Sequence, residues 1–207
     1  MESLRPAFAA AFTLWGSPVT WVELVACVLG VAMVVCNIRV NVLAWPLAGM
    51  SSLLYFALFW DSKLYGEASL QLFFAAVALW GWWQWLHGTL DDGSKLRVRR
   101  LTPRALVVIA GLTLAAWPLL GALLDHVTDT DVPYADAFPT AASVAGQWLL
   151  GRQYVENWPA WIIVNAASIG VFAWKGLWLT VLLYALFGVM AVVGWRAWSR
   201  RAREVTP

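Results

Sequence analysis

The side chains in this sequence that could carry out covalent or acid–base chemistry are few and dispersed. The only two histidines, His87 and His126, fall at the ends of different apolar segments, which the span order below puts at opposite membrane faces. No His-Glu-x-x-His, Cys-x-x-Cys, P-loop or Gly-x-Ser-x-Gly pattern occurs, so neither a metal centre nor an activated nucleophile is on offer. Asp125-His126 is an adjacent pair at a segment end, whose ordinary place is a solvated loop. Cys27 and Cys36 lie in one apolar run, too far apart along a helix for a disulfide, and read as small core residues. An enzyme is not expected, nor is a cofactor.

What remains is uncharged polarity inside apolar segments, which is costly in hydrocarbon unless it meets a partner or a water-filled path. Asn165 is the most informative case. Trp161 precedes it by one helical turn, and Ser168 and Phe172 follow on the same face. An asparagine so placed either reads a ligand or hydrogen-bonds a neighbouring helix; Ser52, Ser168 and Gly49 fit the helix-contact role better. In the first half the matching stripe reads Trp45, Gly49, Ser52 and Phe56. Glu67, Gln71, Ala78 and Trp82 share another face, and Thr180, Tyr184, Ala191 and Trp195 repeat that spacing, which brings Gln71 and Tyr184 to comparable depth near the midplane. Glu67 either offers a negative charge to a cationic ligand or complements a helix dipole from the first turn.

Of the 16 tryptophans, Trp80, Trp82, Trp83, Trp85, Trp195 and Trp198 end their segments and read as an interfacial belt. Trp161 shares its face with Asn165 and reads as a ligand contact. Walls of Trp, Tyr, Asn and Gln with few charges suit a flat aromatic ligand that also needs hydrogen bonds. A cationic ring would gain about 0.5–2 kcal/mol per aromatic contact.

The composition names the kind of element that must hold these residues. Of 207 residues, 61% are hydrophobic and 13% charged, the latter about half the share of a soluble domain. Apolar runs near bilayer-crossing length separate the charge clusters, so the chain reads as a polytopic, all-α membrane protein. The net charge of +2 and the lack of a basic stripe set nucleic acid aside. No cleavable leader is expected at the start. Leu4, Phe8, Phe12 and Trp15 recur at helical spacing, so residues 1–20 form either an interfacial amphipathic helix or a frayed terminus.

Spans are expected from Trp21 to Ile38, Val42 to Trp60, Leu64 to Trp85, Ala105 to Leu124, Trp158 to Trp174 and Leu177 to Trp198. A seventh, Ala135 to Leu150, is diluted by Asp136, Pro139 and small residues, and an internal repeat supports it. Residues 26–56 match 142–172 at an offset of 116, pairing Asn41-x-x-x-Trp45 with Asn157-x-x-x-Trp161; after the next turn the offset becomes 113, pairing Gly81 with Gly194 and Trp85 with Trp198. Each unit holds three spans, and the unmatched span between them restores a common orientation. The arrangement is 3+1+3 with parallel repeats, as in SWEET-type transporters. Its parts are an N-terminal segment (1–20), a first three-helix repeat (21–87), a basic loop with linker helix and acidic loop (88–133), a second repeat (134–198) and a basic tail (199–207). Lys95, Arg97, Arg99, Arg100 and Arg104 fall on the same side as the tail, opposite Asp125, Asp129, Asp131 and Asp136, so the C-terminus is expected in the cytoplasm and the N-terminus outside.

The stretch Glu156-Asn157-Trp158-Pro159-Ala160-Trp161-Ile162-Ile163-Val164-Asn165, then Lys175-Gly176-Leu177 and Gly194-Trp195-Arg196-Ala197-Trp198, resembles the PnuC family of bacterial vitamin transporters. Trp45-Pro46-Leu47, Leu64-Tyr65 and Gly81-Trp82-Trp83-Gln84-Trp85 share the resemblance, which covers residues 20–198. It implies the 3+1+3 architecture and a substrate site lined by Trp161, Asn165, Gln71 and Tyr184, to which Trp45, Ser168 and Glu67 are added from the faces above. It also implies facilitated diffusion of nicotinamide riboside through the inner membrane, with a cytosolic kinase trapping the solute; thiamine and riboflavin are the alternatives within the family. The expected mechanism is rocking of two three-helix units, with Pro46 and Pro159 as hinges or simply as helix starts. Expected partners are the small solute and the bilayer, with self-association open. A membrane assembly protein without transport is the competing class, and paired polar residues on a repeat give it no support.

Overall fold

A computed structural model describes residues 10–14, 17–61, 65–127, 132–174 and 178–204. Among these, strands β1 (Ala10–Leu14) and β2 (Ser17–Thr20) precede helices α1 (Trp21–Ile38), α2 (Ala44–Asp61), α3 (Tyr65–His87), α4 (Pro103–Val127), α5 (Pro133–Gly151), α6 (Asn157–Trp174) and α7 (Trp178–Glu204). The seven expected spans are thus all helices, the diluted one included. Pro133 starts α5, where its missing N–H goes unused, and Asp136 lies in the first turn, where a negative charge complements the helix dipole. An 18-residue helix such as α1 is about 27 Å long, close to a hydrocarbon core of about 30 Å.

The environment of α4 separates a lipid-facing helix from a soluble core helix. Only 6% of its most apolar stretch is buried, and Val107, Leu112 and Leu119 are 71%, 67% and 74% exposed. Apolar surface on that scale is tolerated where lipid, not water, covers it.

The N-terminal expectation is corrected. Ala10–Leu14 is not helical but pairs antiparallel with Ser17–Thr20, Phe12 opposite Val19 and Thr13 opposite Pro18. Aromatic and β-branched residues favour the strand, and Pro18 removes a donor that a continuing helix would need. Leu4, Phe8 and Trp15 lie outside the described residues.

The chain divides into two compact units, Met1–Leu86 and His87–Pro207. In the first, α1 packs on α2, and the buried Ser51 hydroxyl donates across to the Ala26 carbonyl at 3.0 Å. In the second, α4 packs on α5, α5 on α6 and α6 on α7. The Trp117 indole N–H donates to the Tyr134 carbonyl at 2.6 Å, and the Tyr134 ring occupies the space a side chain at Gly121 would need.

The two three-helix sets repeat at one constant offset. α1 and α5 end, α2 and α6 start and end, and α3 and α7 start at positions 113 apart. The α1–α2 and α5–α6 turns match bond for bond. Val40 N–H donates to Asn37 O and Gln153 N–H to Leu150 O, each at 3.0 Å; Asn41 N–H donates to Cys36 O and Tyr154 N–H to Leu149 O, each at 2.9 Å. Val40 and Gln153 both hold positive φ, 57° and 56°. The expected offset of 116 over residues 26–56 is therefore a misregister. A slip of three residues is close to one helical turn, so it keeps the apolar face in phase and pairs Ala, Val and Ser with look-alikes. In the true register Trp45 matches Trp158, Pro46 matches Pro159, and Asn165 matches Ser52.

The second unit also claims the basic connector. Residues 88–96 form a small hairpin, with Leu96 N–H donating to Gly88 O at 3.0 Å and Leu90 N–H to Ser94 O at 2.8 Å. Gly93 takes φ +78°, which glycine adopts without strain. The Ser94 hydroxyl and N–H both donate to Asp92, at 2.6 and 2.9 Å, and hold its carboxyl below the usual carboxylate range. Beyond the hairpin Arg99 exchanges backbone bonds with the α5–α6 turn, donating to Gln153 O at 3.1 Å and accepting from Val155 N–H at 2.9 Å. Its guanidinium lies 4.4 Å from the Tyr154 ring centroid, and Tyr154 stacks on Trp148. Glu156 accepts from Leu101 N–H at 3.0 Å and faces Arg100 at 3.9 Å. Two crossings, α4 and α5, separate the connector from this turn, so their contact is what the alternation of spans requires.

Candidate functional site

The entry to α6 is set by Asn157, fully buried, whose side-chain amide donates to the Tyr154 carbonyl at 2.6 Å. Trp158 follows, 3% exposed. Its ring fills the space left by Gly194 on α7, where an added Cβ would come within 2.5 Å of it, and it meets Trp198 edge to face at 5.6 Å. The first unit repeats the device, Trp45 lying against Gly81 and meeting Trp85 at 5.6 Å. Among the expected site residues, Trp45 is therefore a buried wedge between helices, 2% exposed, and its counterpart is the wedge Trp158, not Trp161.

One turn beyond Trp158, the indole of Trp161 lies over Gly146 of α5, with Cε2 3.3 Å and Nε1 3.5 Å from where a Cβ would stand. Glycine there leaves room for the ring to approach α5 closely. One turn deeper, Asn165 is 5% exposed and sits opposite Gly188 of α7, whose Cβ position is 3.8 Å from its own Cβ. Its amide N–H donates to the Trp161 carbonyl at 2.8 Å. That bond stays within α6, so the side chain ties no second helix among the described residues. The interhelical role left open by the sequence thus has no hydrogen bond to support it. Ser168 continues the face, 5% exposed. Tyr184, one turn before Gly188 on α7, is half-buried, with its ring 6.3 Å from Phe187.

The second unit thus brings Trp161, Asn165 and Ser168 of α6 together with the Tyr184–Gly188 face of α7. Gln71, half-buried on α3 of the first unit, is the counterpart of Tyr184. Glu67 belongs to the first turn of α3, but its side chain lies outside the described set. Gln147 of α5, which hydropathy does not single out, has a buried amide oxygen with no partner among the described residues. The signal that could have found it is spacing, because Asp136, Thr140, Ser143 and Gln147 recur on one helical face.

Among the described residues no three His, Cys, Asp or Glu side chains group to hold a metal. Trp161 and Asn165 place an aromatic ring and an amide one helical turn apart, groups able to stack and to hydrogen-bond.

The chain is similar along most of its length to known transporters. It is 27% identical over 213 positions to the nicotinamide riboside transporter PnuC of Escherichia coli K12, covering 91% of this chain and 89% of the relative. It is 29% identical to the riboflavin/roseoflavin transporter RibM of Streptomyces davaonensis, covering 94% and 92%. The fold matches the crystal structure of the vitamin B3 transporter PnuC with a TM-score of 0.72 at 23% identity, over 89% of this chain and 83% of that one. The family described as nicotinamide mononucleotide transporter matches residues 20–200, and this chain belongs to that family of PnuC-type membrane transporters.

Proposed function

We propose that this chain takes up nicotinamide riboside through a bacterial inner membrane by facilitated diffusion, with phosphorylation by a cytosolic kinase preventing return. The observation that carries the reading is the pairing of Trp161 with Asn165. An indole packed against Gly146 offers aromatic surface to a pyridinium ring, and a buried amide one turn deeper keeps its carbonyl oxygen for a ligand donor. Stacking of a cationic ring on Trp161 would contribute about 0.5–2 kcal/mol. The name of the Escherichia coli relative supports the solute. Tyr184, Ser168 and Gln71 are the further contacts proposed, with Glu67 as a charge toward the cationic ring. The charge bias of the connectors supports a cytoplasmic C-terminus.

Riboflavin is the second reading, favoured by the similarity to the Streptomyces davaonensis transporter. Both vitamins are flat and bear hydroxyls, and the same walls suit either. Tryptophan-quenching titrations of the purified protein with nicotinamide riboside, riboflavin and thiamine decide among them; tight binding of riboflavin alone would overturn the first reading. Liposomes containing the protein alone should equilibrate labelled nicotinamide riboside without concentrating it, whatever the proton or sodium gradient. Uphill accumulation driven by either gradient would refute facilitated diffusion.

A further inference from the structure

Helix α5 carries a polar stripe that its counterpart lacks. Asp136, Thr140, Ser143 and Gln147 recur at helical spacing, and their equivalents 113 positions earlier are Glu23, Cys27, Gly30 and Val34. The outer end is acidic in both helices, but deeper in the bilayer only α5 keeps hydroxyl and amide side chains. Packing of the repeat therefore does not require polarity there, since the same three-helix unit is built with valine at the Gln147 position.

The stripe also has a direction. The face of α5 that meets α4 is marked by Tyr134, which carries the Trp117 hydrogen bond, and by Phe138, 5.2 Å from the Trp117 ring. At about 100° per residue Gln147 projects roughly 140–180° away from those two side chains. It is next to Gly146, the residue that supports the Trp161 indole, so it stands at the level of that ring. Thr140 satisfies its hydroxyl by donating back to the Asp136 carbonyl at 2.9 Å. Gln147 does nothing comparable, because its oxygen is buried and has no partner among the described residues. A buried amide oxygen left unpaired is destabilising, and its persistence at the edge of a ligand-stacking ring points to a partner that arrives from outside the protein.

We infer that Gln147 is a specificity-determining residue of the transport site, its amide recognising the carboxamide of a nicotinamide ring stacked on Trp161. This rests on the proposed function above. An amide offers both a donor and an acceptor, as does a carboxamide, so the two pair reciprocally. A carboxylate in the same position has no hydrogen to give, and the Gln147 oxygen would face an anion. The residue thereby selects nicotinamide riboside over nicotinic acid riboside, two solutes of almost identical shape.

The test uses the purified full-length protein, with affinities for both ribosides and thermal stability measured on the same preparations. The wild type should prefer nicotinamide riboside. Gln147→Leu should weaken that ligand roughly tenfold, the effect of one unpaired buried amide, while leaving nicotinic acid riboside unchanged, so that the ratio falls. Gln147→Val, the residue that the first repeat carries, should behave alike and serves if the leucine variant does not fold. A folded variant with an unchanged ratio, or a wild type indifferent between the two ribosides, overturns the inference alone. A wild type that binds neither riboside but binds riboflavin overturns the proposed function and the inference with it.

Discussion

Replacing Gly194 by alanine tests the wedge that joins α6 to α7. The new Cβ would stand 2.5 Å from Cε2 and Cζ2 of Trp158, whereas carbon atoms pack at about 3.5–4.0 Å. The ring must retreat by about 1 Å or the helices must part. Retreat is blocked, because Trp158 is 3% exposed and Trp198, which meets it edge to face, is fully buried. Overpacking of this kind costs about 1–3 kcal/mol, and the better helix propensity of alanine returns about 1 kcal/mol. The net effect should be a loss of up to about 2 kcal/mol. Gly170 in α6 and Gly111 in α4 have nothing within 4 Å of an added Cβ, so alanine there should be neutral or stabilising. Thermal unfolding in detergent, with the three variants side by side, gives the comparison. Trp158→Leu in the Gly194→Ala background should recover part of the loss, since it removes the atoms that clash. If Gly194→Ala melted with Gly170→Ala, or the second change brought no recovery, the wedge reading would be wrong.

Three further outcomes are expected. Asn165→Leu keeps the side-chain volume but deletes the amide, so affinity for the transported vitamin should fall by about 1.5–3 kcal/mol while the melting temperature barely moves, its one bond being internal to α6; a lower melting temperature with unchanged affinity would remove Asn165 from the site. In a background with Cys27 and Cys36 changed to serine, Asp125→Cys should react with an impermeant thiol reagent in intact cells and Asp91→Cys only after permeabilisation, and the reverse pattern would invert the topology. Glu156→Gln weakens the partner of Leu101 N–H and Arg100; stability should fall by less than about 1 kcal/mol, but limited proteolysis of residues 88–102 should speed up, and unchanged cleavage would show that the backbone bonds of Arg99 hold the connector unaided.

The seven helices were legible because lipid removes ambiguity: an apolar run of bridging length has few alternatives to a helix, and the expected Trp21 to Ile38 is the observed α1. α5 was the hardest to read because Asp136, Pro139 and a run of small residues dilute its hydropathy, and Gln147 lies on the same helix. The repeat was visible, but its register over the first helices was not, since a three-residue slip preserves a helical face while exchanging Trp158 for Trp161. Local residue identity could not show that Trp45 and Trp158 are wedges; the close approach of each ring to Gly81 or Gly194 does. The β1–β2 pairing and the docking of Arg99 on the α5–α6 turn were also hidden, because they are made by backbone groups that residue types barely encode.

The constant offset between the two three-helix sets constrains how such a gene can evolve after duplication. Outside the wedge residues most side chains differ between the copies, yet the helix ends around the turns and the turn with its left-handed residue, Val40 in one copy and Gln153 in the other, have stayed in register. One inserted or deleted codon inside a helix would rotate everything beyond it by about 100°, turning wedge tryptophans toward lipid and lipid-facing leucines inward. Substitution is therefore open to this architecture while insertion and deletion within a repeat are closed, and length changes should collect in the connector around α4, which has no counterpart to stay in step with.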